Sequence, residues 1–184
     1  MKPSVIVVDM LEDSVRGEHA GAIRDVALGL VPAINRLLDA AHRCSWPVVF
    51  ACDAFAPDDF LFGGRMKAHS IRGTPGARPM AELRRGEGDR VLEKPRFSAF
   101  FGTDLHDWLR EREVDTAVVC GLTTAFCVLA TALDAVCHDL HAVIVEDACA
   151  SARAEVHEAC LGCYRGNVLE PLLQVQTVDA VLAG

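Results

Sequence analysis

Val5-Ile6-Val7-Val8 is an unbroken β-branched run, and similar apolar runs recur at Val48–Cys52, Thr116–Cys120 and Ala142–Val145. A strand with one wet face alternates apolar and polar side chains. A continuous apolar run belongs to a strand covered on both faces. Shorter strand-like segments lie at Arg90–Glu93 and Leu173–Gln176. Between them run segments with helical spacing. Residues 22–43 place Ile23, Val26, Leu30, Ile34, Leu37, Leu38 and Ala41 on one stripe, with Pro32 as a kink or restart point. Further helices are predicted at 79–85, 105–112, 125–137, 152–165 and 178–182. Strands alternating with helices predict an α/β chain: three layers, α/β/α, around a mostly parallel, Rossmann-like sheet. No linker or repeat divides residues 1–184, so one domain is expected.

Charge and cysteine usage narrow the function. The chain has 26 acidic against 18 basic side chains, a net charge of -8, which argues against a nucleic-acid surface. Met1–Met10 holds only a four-residue apolar run, and no stretch approaches the length of a membrane helix. The eight cysteines are scattered and read as reduced thiols in a cytoplasmic protein. Cys160 and Cys163 read as a buried helical pair.

Open α/β sheets bind ligands beyond the carboxyl ends of their strands. Asp9, Asp53, Lys94, Gly121 and Asp147 all fall just past such ends. Cys127 follows in Gly121-Leu122-Thr123-Thr124-Ala125-Phe126-Cys127-Val128, at a strand-to-helix turn. A thiol beside a helix N-terminus is expected to favour the thiolate. Taken singly, Asp9 is a turn residue, Lys94 a solvated side chain and Cys127 a small core hydrophobe. Together they supply a nucleophile, a base and a cation on one edge of one sheet.

The Asp9, Lys94 and Cys127 order and the GLxxxxCV turn resemble the isochorismatase-like cysteine hydrolases, a family that includes nicotinamidases and N-carbamoylsarcosine amidohydrolases. The resemblance implies catalytic roles for Asp9 as proton acceptor, Lys94 as cation and Cys127 as nucleophile. It also implies an oxyanion hole from the backbone amides of Thr123 and Cys127, and a cis Leu122–Thr123 peptide. The expected reaction is hydrolysis of a C–N bond in a small amide or carbamoyl compound. The alternatives are vinyl ether hydrolysis of the isochorismatase type, which does not need the thiol, and an idle binding or assembly subunit. A homo-oligomer, dimer or tetramer, is expected, with the 53–76 loop near an interface. A nucleotide-binding Rossmann domain fails, because Asp9-Met10-Leu11-Glu12-Asp13-Ser14 is no G-x-G-x-x-G.

Nicotinamidases hold a divalent metal with an Asp-x-His pair and a later His. The matching positions here are Asp53, Phe55 and His69. Phe55 cannot ligate, and one carboxylate with one imidazole is too few for a secure site unless Asp58 or Asp59 substitutes. The expectation is therefore no metal and no other cofactor. Phe55, Phe97 and Ser98 are the expected substrate-contacting residues, with Phe55 as an apolar wall.

Overall fold

The computed structural model describes residues 1–18 and 20–183. Six strands form one parallel sheet: β1 (Pro3–Val8), β2 (Val48–Asp53), β3 (Arg90–Lys94), β4 (Thr116–Leu122), β5 (His141–Ala150) and β6 (Leu173–Gln176). Their order is β3-β2-β1-β4-β5-β6. Alternate side chains point to opposite faces. Val5, Val7, Phe50, Val118 and Val145 therefore pack against Ile34, Leu37 and Leu38 of the long helix α2 (Gly21–Arg43). Ile6, Val8, Val49, Val119 and Ile144 pack the other way. There they meet α3 (Leu105–Arg110) and α4 (Leu129–Cys137). Two more helices complete the layers, α5 (Ala154–Gly162) on the α4 side and α6 (Val178–Ala183) on the α2 side. A short helix, α1 (Glu12–Arg16), follows β1. α2 runs unbroken through Pro32, whose ring faces solvent. No helix among the described residues is long and apolar enough to cross a membrane.

Two expectations on local structure fail. Residues 79–85 form turns, not a helix. Met80 and Leu83 are buried at helical spacing, but the amides of this segment are committed elsewhere. Met80 N–H donates to Met10 O at 2.9 Å, Ala81 N–H to Glu12 Oε1 at 2.8 Å and Arg84 N–H to Asn35 Oδ1 at 2.9 Å. Nor are Cys160 and Cys163 a buried pair: Cys160 is half-buried, Cys163 exposed, and all eight cysteines are free.

The sheet's order reverses at β1, whose two neighbours are β2 and β4. A crevice opens beyond the strand ends at such a point. β1 and β4 come unusually close there. Gly121 pairs with Val8 at φ +108°, and a Cβ at Gly121 would lie 2.1 Å from the Val8 carbonyl oxygen. Gly121→Ala should cost about 2–4 kcal/mol, combining a left-handed backbone with a backbone clash. Gly29→Ala, in exposed α2 with open space around it, should gain about 0.5–1 kcal/mol. Denaturant titration of both variants checks this; similar effects at the two sites would show that the approach at Gly121 is not constrained.

Candidate active site

Asp9 leaves β1 at φ 49° and its amide donates to Ala51 O at 2.9 Å, which turns the carboxylate along the crevice. Its Oδ1 accepts the Asp53 amide at 2.8 Å. Its Oδ2 lies 2.9 Å from Lys94 Nζ. That contact is an ion pair between a buried ammonium and a buried carboxylate. Lys94, the last residue of β3, is fully buried and also bonds the Asp53 carboxylate and Arg96 O. One ammonium thus bridges two carboxylates. Cys127 closes the group: its Sγ and one oxygen each from Asp9 and Asp53 all lie within 4.8 Å of one another.

The thiol comes from an irregular turn. Thr124–Val128 is a single π-helical turn, a wider coil often found at functional sites. The Thr123 carbonyl accepts from the amides of Phe126 at 3.1 Å and Val128 at 3.3 Å, passing over the Cys127 amide between them. The Leu122–Thr123 peptide is cis.

Burial and charge set the protonation states. Burial lowers the pKa of Lys94, but Asp9, Cys127 and Asp53 outweigh it and push it up, so the ammonium persists. Asp53 is pushed up to about 7 by burial and then by Asp9, against the pull of Lys94. Cys127 rises well above the ordinary thiol value through burial first and Asp9 next. The thiolate expected at a helix start is therefore not the resting form: loss of solvent and two carboxylates outweigh the dipole and Lys94.

Above this cluster lies a cavity of about 850 Å³, within the range of small-molecule sites. Phe97 lines it as expected and meets Phe126 at 6.0 Å between ring centroids. Phe55 does not line it. Its ring is buried against Phe62 and His69, at 5.6 and 5.5 Å, and its amide donates to Ser70 O at 3.0 Å. Phe55 supports the wall from behind. Ser98 is also outside the lining; it is buried in the turn after Lys94, where its hydroxyl accepts the Phe100 amide at 3.1 Å. Lining residues that sequence reasoning missed include Asp13, Phe126, Ser151 and Arg153. Asp13 accepts the Ser70 amide at 2.6 Å and so ties the 66–71 wall to the turn after β1. The signal for Phe126 was its adjacency to Cys127, and for Arg153 its place after β5.

The residues at the family's metal positions do not fit a divalent ion. Lys94 already holds the Asp53 carboxylate and Phe55 offers no donor, which leaves only the imidazole of His69, whose Nδ1 bonds Lys67 O at 2.8 Å, and one imidazole is too few. Asp59 binds Arg96 at 3.1 Å and caps the Leu61 amide at 3.0 Å, while Asp58 is exposed.

The isochorismatase domain model matches residues 3–174. The chain belongs to the isochorismatase family. Maleamate amidohydrolase of Pseudomonas putida is 29% identical over 169 residues, covering 87% of this chain and 78% of that protein. A probable inactive nicotinamidase of Arabidopsis thaliana is 32% identical, with 85% and 84% covered. The crystal structure of N-carbamoylsarcosine amidase from Thermoplasma acidophilum superposes with a TM-score of 0.80 at 31% identity, over 97% of this chain and 98% of that one. The six-stranded parallel sheet is thus the isochorismatase-like fold.

Lys94 is the electrostatic keystone of this cluster. Lys94→Met would leave two buried carboxylates without their cation. Near pH 8 the expected cost is about 3–5 kcal/mol, the range for one partner lost from a buried ion pair. The cost should shrink at pH 5. A carboxylate raised in the folded state destabilises it as pH climbs above the unfolded value, 3.8 for Asp53, and stability returns on acidification. Unfolding titrations at the two pH values check this; equal losses at both would refute it.

Proposed function

We propose that this chain is a cysteine-dependent hydrolase that cleaves a C–N bond in a small amide or carbamoyl compound through a covalent Cys127 intermediate. The observation that carries the reading is the cluster itself: Cys127 Sγ and a carboxylate oxygen of Asp9 lie within 4.8 Å of each other, and Asp9 Oδ2 is 2.9 Å from the buried Lys94 ammonium. An ionised carboxylate in that place can accept one proton. Asp9 takes the thiol proton, and the sulfur attacks the carbonyl carbon. Lys94 holds the charges in place throughout. The C–N bond then breaks as the leaving nitrogen takes the proton from Asp9, giving a thioester. Water hydrolyses the thioester and returns the thiol.

The developing oxyanion needs fixed donors, and the amides of Thr123 and Cys127 fill that role. The π turn supports this assignment, since it leaves the Cys127 amide out of the Thr123 carbonyl's pair of bonds. Substrates bearing a carboxylate suit the cavity. Arg153 and Lys67 line it, and neither forms an ion pair among the described residues. Two relatives, named for maleamate and N-carbamoylsarcosine, act on carboxylate-bearing compounds.

The test is ammonia release from a panel of amides, ureides and carbamoyl acids, each paired with an uncharged analogue. Cys127→Ala should abolish turnover, and Asp9→Asn should lower it by at least about a hundredfold, the scale of lost acid–base catalysis. Full activity in Cys127→Ala would remove the covalent step and favour thiol-independent chemistry of the isochorismatase type. An inert wild type across the panel would favour the idle-subunit reading.

Activity is also expected to survive prolonged chelation, because Phe55 and the Lys94–Asp53 pair leave too few free donors for a catalytic metal. The check is metal content and rate before and after chelation. Stoichiometric zinc or iron whose removal stops turnover, and whose return restores it, would overturn this part of the proposal.

A further inference from the structure

We propose that His157 is a positioning residue that, through Thr124, holds the π turn against rewinding and so keeps the Cys127 amide available to a developing oxyanion. The proposal rests on the reading of that amide as an oxyanion donor. Thr124 opens the turn and is fully buried. Its hydroxyl oxygen and His157 Nδ1 lie 2.8 Å apart, in hydrogen-bond contact. Its carbonyl accepts from Cys160 Sγ at 3.8 Å. His157 and Cys160 stand three residues apart on α5, the spacing that puts two side chains on one helix face. α5 therefore grips both the side chain and the main chain of Thr124. The His157 side chain is 15% exposed and does not itself line the cavity, although its neighbour Val156 does. It acts on the turn, not on a substrate.

The competing conformation is an ordinary α turn. In it each amide donates to the carbonyl four residues back, so the Cys127 amide would bond Thr123 O. Here that carbonyl is taken by the amides of Phe126 and Val128 instead. The π turn is a short irregularity between β4 and the regular helix α4. Such turns are rare, so contacts from outside the segment must favour this one. The bond from Thr124 to His157 is such a contact. Rewinding to the α form redirects the Thr124 side chain and leaves a buried hydroxyl unpaired, which opposes the change. Without the bond, the Cys127 amide is free to enter the helical ladder and is lost to the oxyanion.

Asn and Gln distinguish the two ring nitrogens. In His157→Asn the side-chain amide falls where Nδ1 stood, with both a donor and an acceptor. In His157→Gln it reaches to the Nε2 position instead. Thr124→Val removes the hydroxyl at nearly constant volume. The first readout needs no substrate. Isotope-labelled cysteine marks the eight cysteine amides for nuclear magnetic resonance, and the signal missing in Cys127→Ser is that of Cys127. Hydrogen exchange at this amide should slow at least about tenfold in His157→Gln and Thr124→Val, as it enters a helical bond, and stay at the wild-type rate in His157→Asn. Faster exchange, the mark of a merely loosened segment, overturns the proposal, and so does an unchanged rate. The second readout is steady-state kinetics on whichever amide of the panel the wild type turns over. There kcat should fall at least about tenfold in His157→Gln and Thr124→Val with KM within about twofold, because an oxyanion donor acts in the transition state. Combining the two substitutions should lose no more than either alone, because both act through one bond. A raised KM at wild-type kcat overturns the proposal, as do additive losses or equal damage in His157→Asn and His157→Gln. An inert wild type defeats the hydrolase reading, while the exchange measurement still decides whether His157 holds the turn.

Discussion

A lysine ammonium with no solvent contact is tenable only where opposite charge surrounds it. Lys94 meets that condition with Asp9 from the end of β1 and Asp53 from the end of β2. Neither carboxylate could stay ionised in this setting without the ammonium, and the ammonium could not persist without them. The three charges bind three adjacent strand ends into one unit, so the geometry of the crevice follows the register of the sheet. Val49↔Arg90 through Asp53↔Lys94 on one side and Val5↔Val48 through Val8↔Ala51 on the other fix where each charge emerges. A slip of one residue in either ladder would turn a charge into the apolar layers.

The other half of the site depends on backbone. β4 reaches the crevice beside β1 because Gly121 carries no side chain to meet Val8. Directly after it the chain enters the π turn and delivers Cys127 to the charges. Side-chain electrostatics thus come from β1, β2 and β3, while the candidate nucleophile and the candidate oxyanion amides come from the β4 turn. The two halves meet where the strand order reverses.

Much of this was legible in the sequence. Runs such as Val5–Val8 and Val48–Cys52 are too uniformly apolar for a half-wet strand, so the sheet and its two covering layers followed from pattern alone. Asp9, Lys94 and Cys127 stood out because residues just past parallel strands converge. What escaped has a common cause: it is decided by partners distant in the chain. Met80 and Leu83 carry helical spacing, yet Met10, Glu12 and Asn35 take the amides that a helix would need. Phe55 looks like a cavity wall from its place after β2, but the strand-like pairing of 55 with 71 turns its ring toward Phe62 and His69. The engagement of Asp53 by Lys94 joins residues 41 positions apart. Local pattern carries no trace of such a pairing.

Tertiary packing likewise explains why the local argument for a thiolate fails. A strand-to-helix turn stabilises negative charge through roughly half a unit of dipole charge at the helix start. Against it stands first the lost solvation of Cys127, which is 7% exposed, and next the charge of Asp9, with Asp53 a smaller contributor. Lys94 pulls the other way. Burial is therefore the leading cause, and the helix start does not overcome it. In this site the protonation of Cys127 depends on the β1–β2–β3 strand ends as much as on the turn that carries it.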